Sequence, residues 1–400
     1  MAIYVYPADP YACGHFRLIW PGLALAATGM DVKVIAPGSR EGIAGDIDKR
    51  SPCPKCAAPT VPHNQVPDGN LQVFLYACNG AGTHPPVQWR GTGTIIDLRV
   101  PADAEAVVLQ RLTLSHMADG VKLLRERRPD IAIIVDMDDD LRSINPDNPA
   151  FWAMHKKWGY AAHSAENAMR GCLNATLVTV STPALLRVYA PHGRGQVLYN
   201  RVPRGYLDIP HEDGTTMSWP GSVHSHPHDL QQVGPAISRL IREGHQYVAT
   251  GSAVGVKAAL NLDVDPDSTG DVDFEQWPWA VSRIGVGIAP LADTVFNRGK
   301  SWLKPLEMSA AGVPWVASPR AEYARLHRDH QVGLMAKDPR DWYKQLRRLL
   351  TNQALRLEQS HASRAAAAAN TVEAHAWQWA EAWQGAIEVA RRSAPALRLG

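Results

Sequence analysis

The chain has 400 residues, a length that predicts two domains. Its 41 Lys and Arg residues nearly balance its 39 Asp and Glu residues, which excludes a protein that binds nucleic acid through bulk positive charge. Five cysteines are too few for a disulfide scaffold, and the sequence has neither an apolar run of about 18 residues nor the basic and apolar regions of a signal peptide, so we expect a cytoplasmic protein without a membrane span.

Strands alternate with helices along the first half of the chain. The hydrophobic patterns predict strands at Ala2–Tyr6, Asp31–Ala36, Glu105–Gln110, Ile131–Asp136, Thr176–Val180 and Gln196–Tyr199. They predict helices at Phe16–Thr28, Met117–Arg127 and Asn167–Leu173. Such alternation is typical of an α/β domain with a parallel sheet and helices on both faces. Residues 38–100 are rich in Gly, Pro and Cys, break the alternation and are predicted to be an insertion.

The insertion carries candidate metal ligands. Cys53 and Cys56 form a CxxC pair, and Cys78 and His84 follow at a distance typical of zinc ribbons. Three alternatives are open: the four residues hold a structural zinc ion, the thiols have no metal, or the CxxC pair is redox-active. A zinc ion here would stabilise the fold of the insertion and would take no part in a reaction.

Two residues of the first predicted loop are candidate ligand-binding residues. The loop at 8–19 joins the first strand to the first helix at the carboxyl edge of the sheet, where open α/β sheets bind ligands. Gly14 permits a close approach of the backbone, and Arg17 could contact a phosphate group. The alternative is an ordinary turn between a strand and a helix.

Four carboxylates follow a predicted buried strand directly, at Asp136, Asp138, Asp139 and Asp140. Like charges so close together are unfavourable unless they are paired, protonated or bound to a cation. From the residues alone, the cluster is interpreted either as a metal site or as the acidic first turn of a capped helix.

A second alternation begins near Trp219. Its pattern predicts strands at Gly221–His224, His245–Thr250 and Gly285–Ala289, and helices at Trp342–Leu350 and Val372–Arg391. The second half of the chain is therefore predicted to be another α/β domain that ends in a long helix.

Residues 288–318 predict a strand, a loop, a short helix, a tight turn and another strand. Pro305 suits the first position of the helix, and Gly312 suits a left-handed C-cap. The loop before the helix carries polar and basic side chains at Asn297, Arg298, Lys300 and Ser301. With the free N–H groups and the positive dipole end of the helix after Lys304, these side chains predict an anion site. Glu307 lies near the helix start, where a carboxylate can accept hydrogen bonds from a ribose.

The segment Leu306–Pro314, LEMSAAGVP, resembles the donor-binding helix LEAMAAGVPVVAS of GT-B glycosyltransferases, in particular phage and bacterial ones. Weaker resemblances to the same family cover residues 8–29, 135–141 and 181–200. The resemblance implies an α/β protein of the GT-B fold, in which two Rossmann-like αβα domains face an interdomain cleft. The resemblance implies an acceptor domain at 1–205, a nucleotide-sugar-binding domain at 206–371 and a helix at 372–400 that crosses back to the first domain.

In that family the helix holds the diphosphate and the ribose of a nucleotide-sugar, so the resemblance implies that Glu307 binds the ribose. The loop after the first strand of the second domain would face the diphosphate through Gly221 and Ser222. Many members carry another glutamate eight residues before the ribose-binding one, and it contacts the sugar. Gly299 stands at that position here, so the sugar contact does not carry over.

The same layout implies a role for the acidic cluster, because its edge of the sheet would face the cleft. We expect Asp138 first, and Asp139 second, to act as general base on the acceptor hydroxyl. His116 follows another strand at the same edge and is an alternative base or only a residue at the start of a helix. GT-B enzymes generally transfer sugars without a metal, and none is expected to be required here.

The resemblance therefore implies a glycosyltransferase that moves a hexosyl or pentosyl group from a nucleotide-sugar, such as a UDP-sugar, to a hydroxyl of an acceptor. The acceptor stays open among a hydroxymethylated DNA base, a phage or cell-surface component, a protein and a glycan. Two other functions stay open as well. One is a non-catalytic module that binds nucleic acid or glycan on a degenerate GT-B scaffold, and the other is a nucleotide-sugar epimerase. The sequence is compatible with either retention or inversion at the sugar.

Overall fold

The computed structural model describes residues 2–37, 47–48, 51–68, 71–91, 94–95, 99–148, 151 and 163–394. This part of the chain contains two separate parallel sheets, one in each half of the sequence, and helices that cover them. The predicted α/β class is therefore confirmed.

Six parallel strands form the sheet of the first domain, and each of them corresponds to a predicted strand. In sheet order they are Gly195–Val197, Leu177–Val180, Ala132–Met137, Ala104–Gln110, Ala2–Tyr6 and Val32–Val34. The central strand, Ala132–Met137, is buried along its whole length. Its sequence is a continuous apolar run up to Asp136 because helices cover both faces of the sheet.

The helices of the first domain pack in two hydrophobic clusters, one on each face of the sheet, although Phe16 belongs to the core of the second domain. They are Ala12–Gly14, the π-helical segment His15–Ile19, Trp20–Ala27, Ser115–Arg127, Ser164–Asn174 and Pro183–Tyr189, with a 3₁₀ turn at Leu141–Ser143. The first three segments follow one another without a break, so the helix predicted at Phe16–Thr28 begins four residues earlier, at Ala12.

Short antiparallel strands make up the described part of the insertion. Their pairs are Ile47–Asp48 with Thr94–Ile95, Ser51–Pro52 with Pro59–Thr60, and a three-stranded sheet of Pro62–Asp68, Leu71–Cys78 and Val87–Gly91. A 3₁₀ turn lies at Gly80–Gly82. The insertion is thus a small β module that leaves the main sheet after Val32–Val34 and returns before Ala104–Gln110.

Parallel strands also form the sheet of the second domain. In sheet order they are Met217–Ser218, Val286–Ala289, Trp315–Ala317 and Leu334–Met335. Isolated bridges from Met217 and Pro220 join this sheet to a pair formed by Val248–Ala249 and Asp267–Ser268. The prediction of a strand at Gly221–His224 was wrong, because the backbone N–H of Gly221 donates to the Trp219 carbonyl in a tight turn that ends the strand.

Helices fill the connections between these strands. They are Gly234–Arg242, Val256–Leu260, Trp277–Ser282, Val295–Arg298, Leu303–Ala311, Ala321–His330, Pro339–Thr351 and Gln353–Ala368, with 3₁₀ turns at Arg204–Asp208, Leu230–Gln232 and Phe274–Gln276. A final helix, Val372–Ser393, packs on the first domain. Its Trp379 and Trp383 have no exposed area and share a hydrophobic core with Ile3 of the first strand. None of the described helices combines the length and the apolar composition that crossing a bilayer requires.

Candidate active site

Side chains of both domains meet where the strands of the two sheets end. Lys300 of the second domain places its Nζ 2.8 Å from an Asp139 oxygen of the first. The Thr182 hydroxyl donates to the Gly299 carbonyl at 3.2 Å, and the Asn148 amide donates to the Ser225 carbonyl at 2.9 Å. The carboxyl ends of parallel strands are the usual binding edge of an α/β sheet, so this cleft is the candidate site.

One short helix, Leu303–Ala311, carries the central residues of the site. It begins two residues before Pro305, which therefore occupies the third helical position and not the first as predicted. Gly312 has φ +80° and forms the predicted left-handed C-cap. Lys304 and Glu307 stand three positions apart, so they lie on the same face of the helix and point away from its buried face.

Lys304 reaches the first loop of the second domain through a gap left by a glycine. Its Nζ donates to the Pro220 carbonyl at 2.7 Å. A Cβ atom on Gly221 would lie 2.9 Å from that Nζ and 2.7 Å from the Trp219 ring, so only glycine fits there without displacing them. The structure thus brings Gly221 and Lys304 together. Ser222 follows in the same loop, and its carbonyl accepts from the backbone N–H of His226 at 3.0 Å.

Lys304 and Glu307 are half-buried, and burial shifts their pKa values in opposite directions. It lowers the pKa of Lys304 and raises the pKa of Glu307, because the charged form of each is taken out of water. A hydrogen bond from the Trp277 side chain and the charge of Lys304 partly offset the shift at Glu307. A bound anion beside Lys304 and hydroxyl donors beside Glu307 would restore the solvation that both groups lack.

Lys300 is held differently, by a carboxylate of the other domain. Burial alone would lower the pKa of Lys300, but the charge and hydrogen bond of Asp139 outweigh it and raise the pKa. The ammonium also lies 4.4 Å from the centre of the Phe296 ring. Any diphosphate that binds Lys300 must therefore compete with Asp139 for it.

Asn297 and Ser301, both predicted donor-site residues, are already engaged within the protein. Asn297 is buried, and its amide nitrogen donates to Asp229 at 2.7 Å and to the Ala292 carbonyl at 3.0 Å. Both amide protons are used in this way and fix the loop, so these contacts do not support donor binding through the Asn297 amide nitrogen, and its role in donor binding stays a prediction. Ser301 accepts a hydrogen bond from the Asn200 amide at 2.9 Å and therefore connects the loop to the interdomain linker.

Asp229 organises the loops beneath the two lysines. It is 1% exposed and accepts from the Ala292 backbone N–H at 2.8 Å as well as from Asn297. His226 lies 3.5 Å from its other oxygen. Burial lowers the pKa of His226 to about 4, so the imidazole next to Lys300 and Lys304 is neutral at pH 7. Asp229 was not predicted from the sequence, because the two groups that donate to it, Ala292 and Asn297, are more than sixty residues away.

The four aspartates of the acidic cluster have four different environments. Asp136 is fully buried, and Asp140 caps the turn at Leu141–Ser143 by accepting from the Arg142 backbone N–H at 3.2 Å. Both oxygens of Asp138 accept from the Arg111 guanidinium at 2.6 Å. Burial alone would raise the pKa of Asp138, but the charge and hydrogen bonds of Arg111 lower it to about 2.

These environments change the expected order of the candidate bases. A carboxylate with both oxygens on a guanidinium and a pKa of about 2 is a poor proton acceptor, which argues against Asp138 as the first candidate base. The Asp139 side chain is 27% exposed, against 8% for Asp138, and one of its oxygens remains free of Lys300. Of the four, Asp139 is the carboxylate that a substrate in the cleft can reach.

His116 does not belong to this group. It lies in the first turn of the helix Ser115–Arg127, and its side chain is 8% exposed. Burial lowers its pKa, and the carboxylate that opposes this shift is Asp119 on its own helix. The structure therefore gives His116 no contact with the acidic cluster that would support the predicted role as alternative base.

Arg17, predicted to contact a phosphate group, instead makes a network of buried contacts within the protein. Its side chain is fully buried, and its guanidinium donates to both oxygens of Asp136 at 3.0 and 2.7 Å. It also donates to the Leu198 carbonyl and, at 2.9 Å, to the Asn200 side chain. With these partners Arg17 has neither the exposure nor the free donors that a diphosphate would need.

The close backbone approach predicted at Gly14 exists, but its partner is the protein. A Cβ atom on Gly14 would lie 1.9 Å from the Asp9 carbonyl oxygen. The glycine is therefore required for the packing of the early loop, and its predicted role in donor binding stays a prediction. Gly299 is less constrained, since a Cβ there would lie 3.1 Å from the Leu185 side chain of the first domain.

An aromatic pocket opens beside the ribose-binding candidate. It has a volume of about 610 Å³ and is lined by Pro10, Tyr11, His15, Trp20, Tyr206, Asp273, Phe274, Glu275 and Pro278. The rings of Trp20 and Phe274 are stacked with centroids 5.7 Å apart. Tyr206 is close enough to Glu307 for its pKa to be raised by that charge in addition to burial. Flat apolar faces of this kind suit a nucleobase or a sugar ring.

The four predicted metal ligands lie together in the insertion. The ligand atoms of Cys53, Cys56, Cys78 and His84 are all within 4.8 Å of one another. In the part of the chain that the structure describes, this is the one group of side chains with metal-binding spacing.

Comparison with known proteins supports the fold. A family model described as "Glycosyl transferase-like" matches residues 269–383, which include the helix Leu303–Ala311. No curated protein matches the chain at a significant level. Sucrose-phosphate synthase from Thermosynechococcus elongatus is similar over 96% of this chain and 98% of its own, with a TM-score of 0.54 and 14% identity. The crystal structure of TarM is similar over 78% of this chain and 66% of its own, with a TM-score of 0.54 and 12% identity.

HepE from Anabaena, crystallised with UDP, is similar over 70% of this chain and 79% of its own at a TM-score of 0.49 and 11% identity. At these identities the structural likeness concerns the fold, while the family match covers only residues 269–383, from within the second domain to the first half of the last helix. Together they show an α/β protein of the GT-B fold in which residues 269–383 match the glycosyl transferase-like family.

Proposed function

We propose that this protein is a glycosyltransferase that moves a sugar from a nucleotide-sugar to a hydroxyl group of an acceptor. The observation that carries the proposal is the joint position of Lys304 and Glu307. They lie on one helix face at the cleft, and burial disfavours the charge of each in the absence of a partner. A nucleoside diphosphate supplies what both lack, namely negative charge for the ammonium and hydroxyl donors for the carboxylate.

The donor would bind with its diphosphate at the start of the helix Leu303–Ala311. Lys304 would neutralise one phosphate directly, and Lys300 would exchange Asp139 for the other. The free N–H groups of the first helical turn add a positive dipole end. Glu307 would accept hydrogen bonds from the ribose, as the family resemblance implies, and the aromatic pocket beside it would take a ring of the donor or the acceptor.

Asp139 would act as general base on the acceptor. Its free oxygen takes the hydroxyl proton while the acceptor oxygen attacks the anomeric carbon, and the bond from that carbon to the diphosphate breaks. The electron pair leaves with the nucleoside diphosphate, whose growing charge the two lysines stabilise. Binding of the diphosphate to Lys300 would also release Asp139 from its ion pair at the time when it is needed as a base.

A macromolecular acceptor is a further part of the proposal. The insertion leaves the sheet at the carboxyl end of Val32–Val34, which is the edge that faces the cleft. We propose that the module at that edge enlarges the acceptor side of the site. We propose a hydroxyl of a modified DNA base or of a phage or cell-surface component as its target. Transfer assays with hydroxymethylated DNA, glycans and cell-envelope fractions distinguish these acceptors.

The first test measures thermal stabilisation by a panel of nucleotide-sugars and nucleoside diphosphates. A ligand at 100 times its Kd that binds only the folded state adds about 2.7 kcal/mol of stability. We expect a selective shift that Glu307→Ala abolishes. Glu381→Ala is the matched control, because Glu381 is an exposed glutamate on the last helix. Unchanged nucleoside diphosphate affinity in Glu307→Ala would overturn the assignment of the donor site.

Turnover then separates the proposed enzyme from the two other functions. A glycosyltransferase releases nucleoside diphosphate in proportion to glycosylated acceptor. An epimerase converts the nucleotide-sugar without any acceptor, and a binding module retains the ligand without converting it. Stabilisation without turnover for any acceptor class would therefore refute the catalytic proposal while leaving the donor site intact.

A further inference from the structure

The insertion contains a cluster of three thiols and one imidazole that the transfer chemistry does not use. The Cys56 and Cys78 sulfurs are 3.8 Å apart, and the His84 Nε2 atom lies 3.5 Å from the Cys53 sulfur and 3.6 Å from the Cys78 sulfur. All four ligand atoms lie within 4.8 Å of one another. The sulfur separation is far beyond the roughly 2.05 Å of a disulfide bond.

These separations match the edges of a zinc-centred tetrahedron. Zinc bonds of about 2.3 Å to sulfur and about 2.05 Å to nitrogen, at tetrahedral angles, place two sulfurs about 3.8 Å apart and a sulfur and a nitrogen about 3.6 Å apart. A set of three cysteines and one histidine also leaves no open coordination position, which is typical of structural and not of catalytic zinc.

Neighbouring groups hold the ligands in the orientation that a metal requires. The backbone N–H groups of Lys55 and Gly80 each donate to a ligand sulfur at 3.4 Å, which stabilises negative charge on the Cys53 and Cys78 thiolates. The Nδ1 atom of His84 lies 2.6 Å from the Pro85 carbonyl. This contact requires the proton on Nδ1 and leaves the Nε2 lone pair facing the three sulfurs, as in metal-bound histidines.

The described side chains of the module include few buried hydrophobic ones. Among the side chains described at 51–62 and 75–89, only Cys53 and Tyr76 are buried hydrophobic ones. Tyr76 stacks on Trp89 with centroids 5.4 Å apart. Small modules commonly depend on a metal or on disulfides, because a small hydrophobic core alone rarely offsets the conformational entropy lost on folding.

We propose that Cys53, Cys56, Cys78 and His84 bind one structural Zn²⁺ ion that folds the insertion. The ion lies outside the cleft chemistry, so the proposal does not depend on the proposed glycosyltransferase function. Metal content is a direct readout that requires no donor or acceptor, and the two proposals can therefore fail separately.

The test uses the full-length protein purified with zinc in the medium and analysed by inductively coupled plasma mass spectrometry. We expect one zinc per chain in the wild type and none in Cys56→Ser/Cys78→Ser. Cys13→Ser is the matched control and should keep its zinc, because Cys13 lies outside the cluster. His84→Cys should also keep zinc, since four cysteines form an equivalent tetrahedral set.

Two further measurements keep the proposal open to refutation if the double variant does not fold. Cobalt added to the chelator-treated wild type should give the intense visible absorption of tetrahedral thiolate coordination. Limited proteolysis should cut the insertion only after zinc removal, while the remainder of the chain stays intact. The proposal would be overturned if the wild-type protein contained no zinc and its insertion nevertheless resisted the protease. It would also be overturned if these cysteines formed a disulfide bond.

Discussion

Replacing Arg17 by methionine tests whether this arginine stabilises the fold or binds the donor. The substitution removes every donor of a fully buried guanidinium. Asp136, also fully buried, then loses hydrogen bonds of 3.0 and 2.7 Å and retains only the one from the Thr179 hydroxyl at 2.7 Å. Removing one partner of a buried ion pair typically costs about 3–5 kcal/mol, because the other charge stays buried without compensation. We expect a loss of stability in that range.

The assay is urea denaturation followed by circular dichroism, with nucleoside diphosphate affinity measured in parallel on the folded variant. Arg17→Met/Asp136→Leu serves as the companion, since it removes both charges. Replacing a buried pair by apolar residues is often close to neutral, so the double variant should regain most of the lost stability. If the double variant is more stable than the single variant, the coupling energy identifies the broken ion pair as the cause of the lost stability.

The opposite pattern would refute the reasoning. An arginine that binds phosphate in a cleft contributes little to the stability of the empty protein. If Arg17→Met stayed within about 0.5 kcal/mol of the wild type and lost its nucleoside diphosphate affinity, a donor-binding role would be restored. A double variant as unstable as the single one would show that the ion pair is not the source of the effect.

Three other predictions concern the cleft and the last helix. Asp139→Asn should lower the transfer rate by about 10²–10⁴-fold and yet raise the affinity for nucleoside diphosphate, because Lys300 no longer has an anionic partner in the protein. A loss of both the rate, measured by kinetics, and the affinity, measured by calorimetry, would contradict this prediction. The affinity for nucleoside diphosphate should fall as the pH rises through the lowered pKa of Lys304, because the anion binds the charged amine. Calorimetry in two buffers should show that binding takes up protons, and Lys304→Arg should remove the pH dependence. Trp383→Ala should cost about 3–5 kcal/mol in urea denaturation, and a cost near zero would show that the last helix is not docked.

The fold was predictable where short segments determine their own structure. The strands of the first sheet are apolar runs bounded by turns, and all of them appear within a few residues of their predicted limits. The C-cap at Gly312 was predictable for the same reason, since a glycine followed by proline at 314 leaves few alternatives. The strand at Met217–Ser218 was misplaced because two residues carry too little pattern to be located.

The site was less predictable because its charges are paired over long sequence distances. Arg17 and Asp136 are 119 residues apart, and Arg111 lies 27 residues from Asp138. A sequence shows that a charge follows a strand, but it does not show whether the charge faces a ligand or a buried partner. For this reason the positions of Arg17 and Asp138 in the sequence did not reveal their buried ion-pair partners, whereas the proximity of Lys304 and Glu307, three positions apart on one helix, was predictable.

Arg17 nevertheless influences the candidate donor site through a chain of contacts. Its guanidinium donates to the Asn200 side chain at 2.9 Å, and the Asn200 amide donates to Ser301 at 2.9 Å, directly before the helix that carries Lys304. The Asn200 carbonyl also accepts from the Trp302 indole at 2.7 Å. A buried ion pair of the first domain thus fixes the linker, and the linker fixes the loop of the second. Loss of donor affinity in Arg17→Met would therefore point to phosphate contact only if stability were unchanged, which is why the two measurements must be made together.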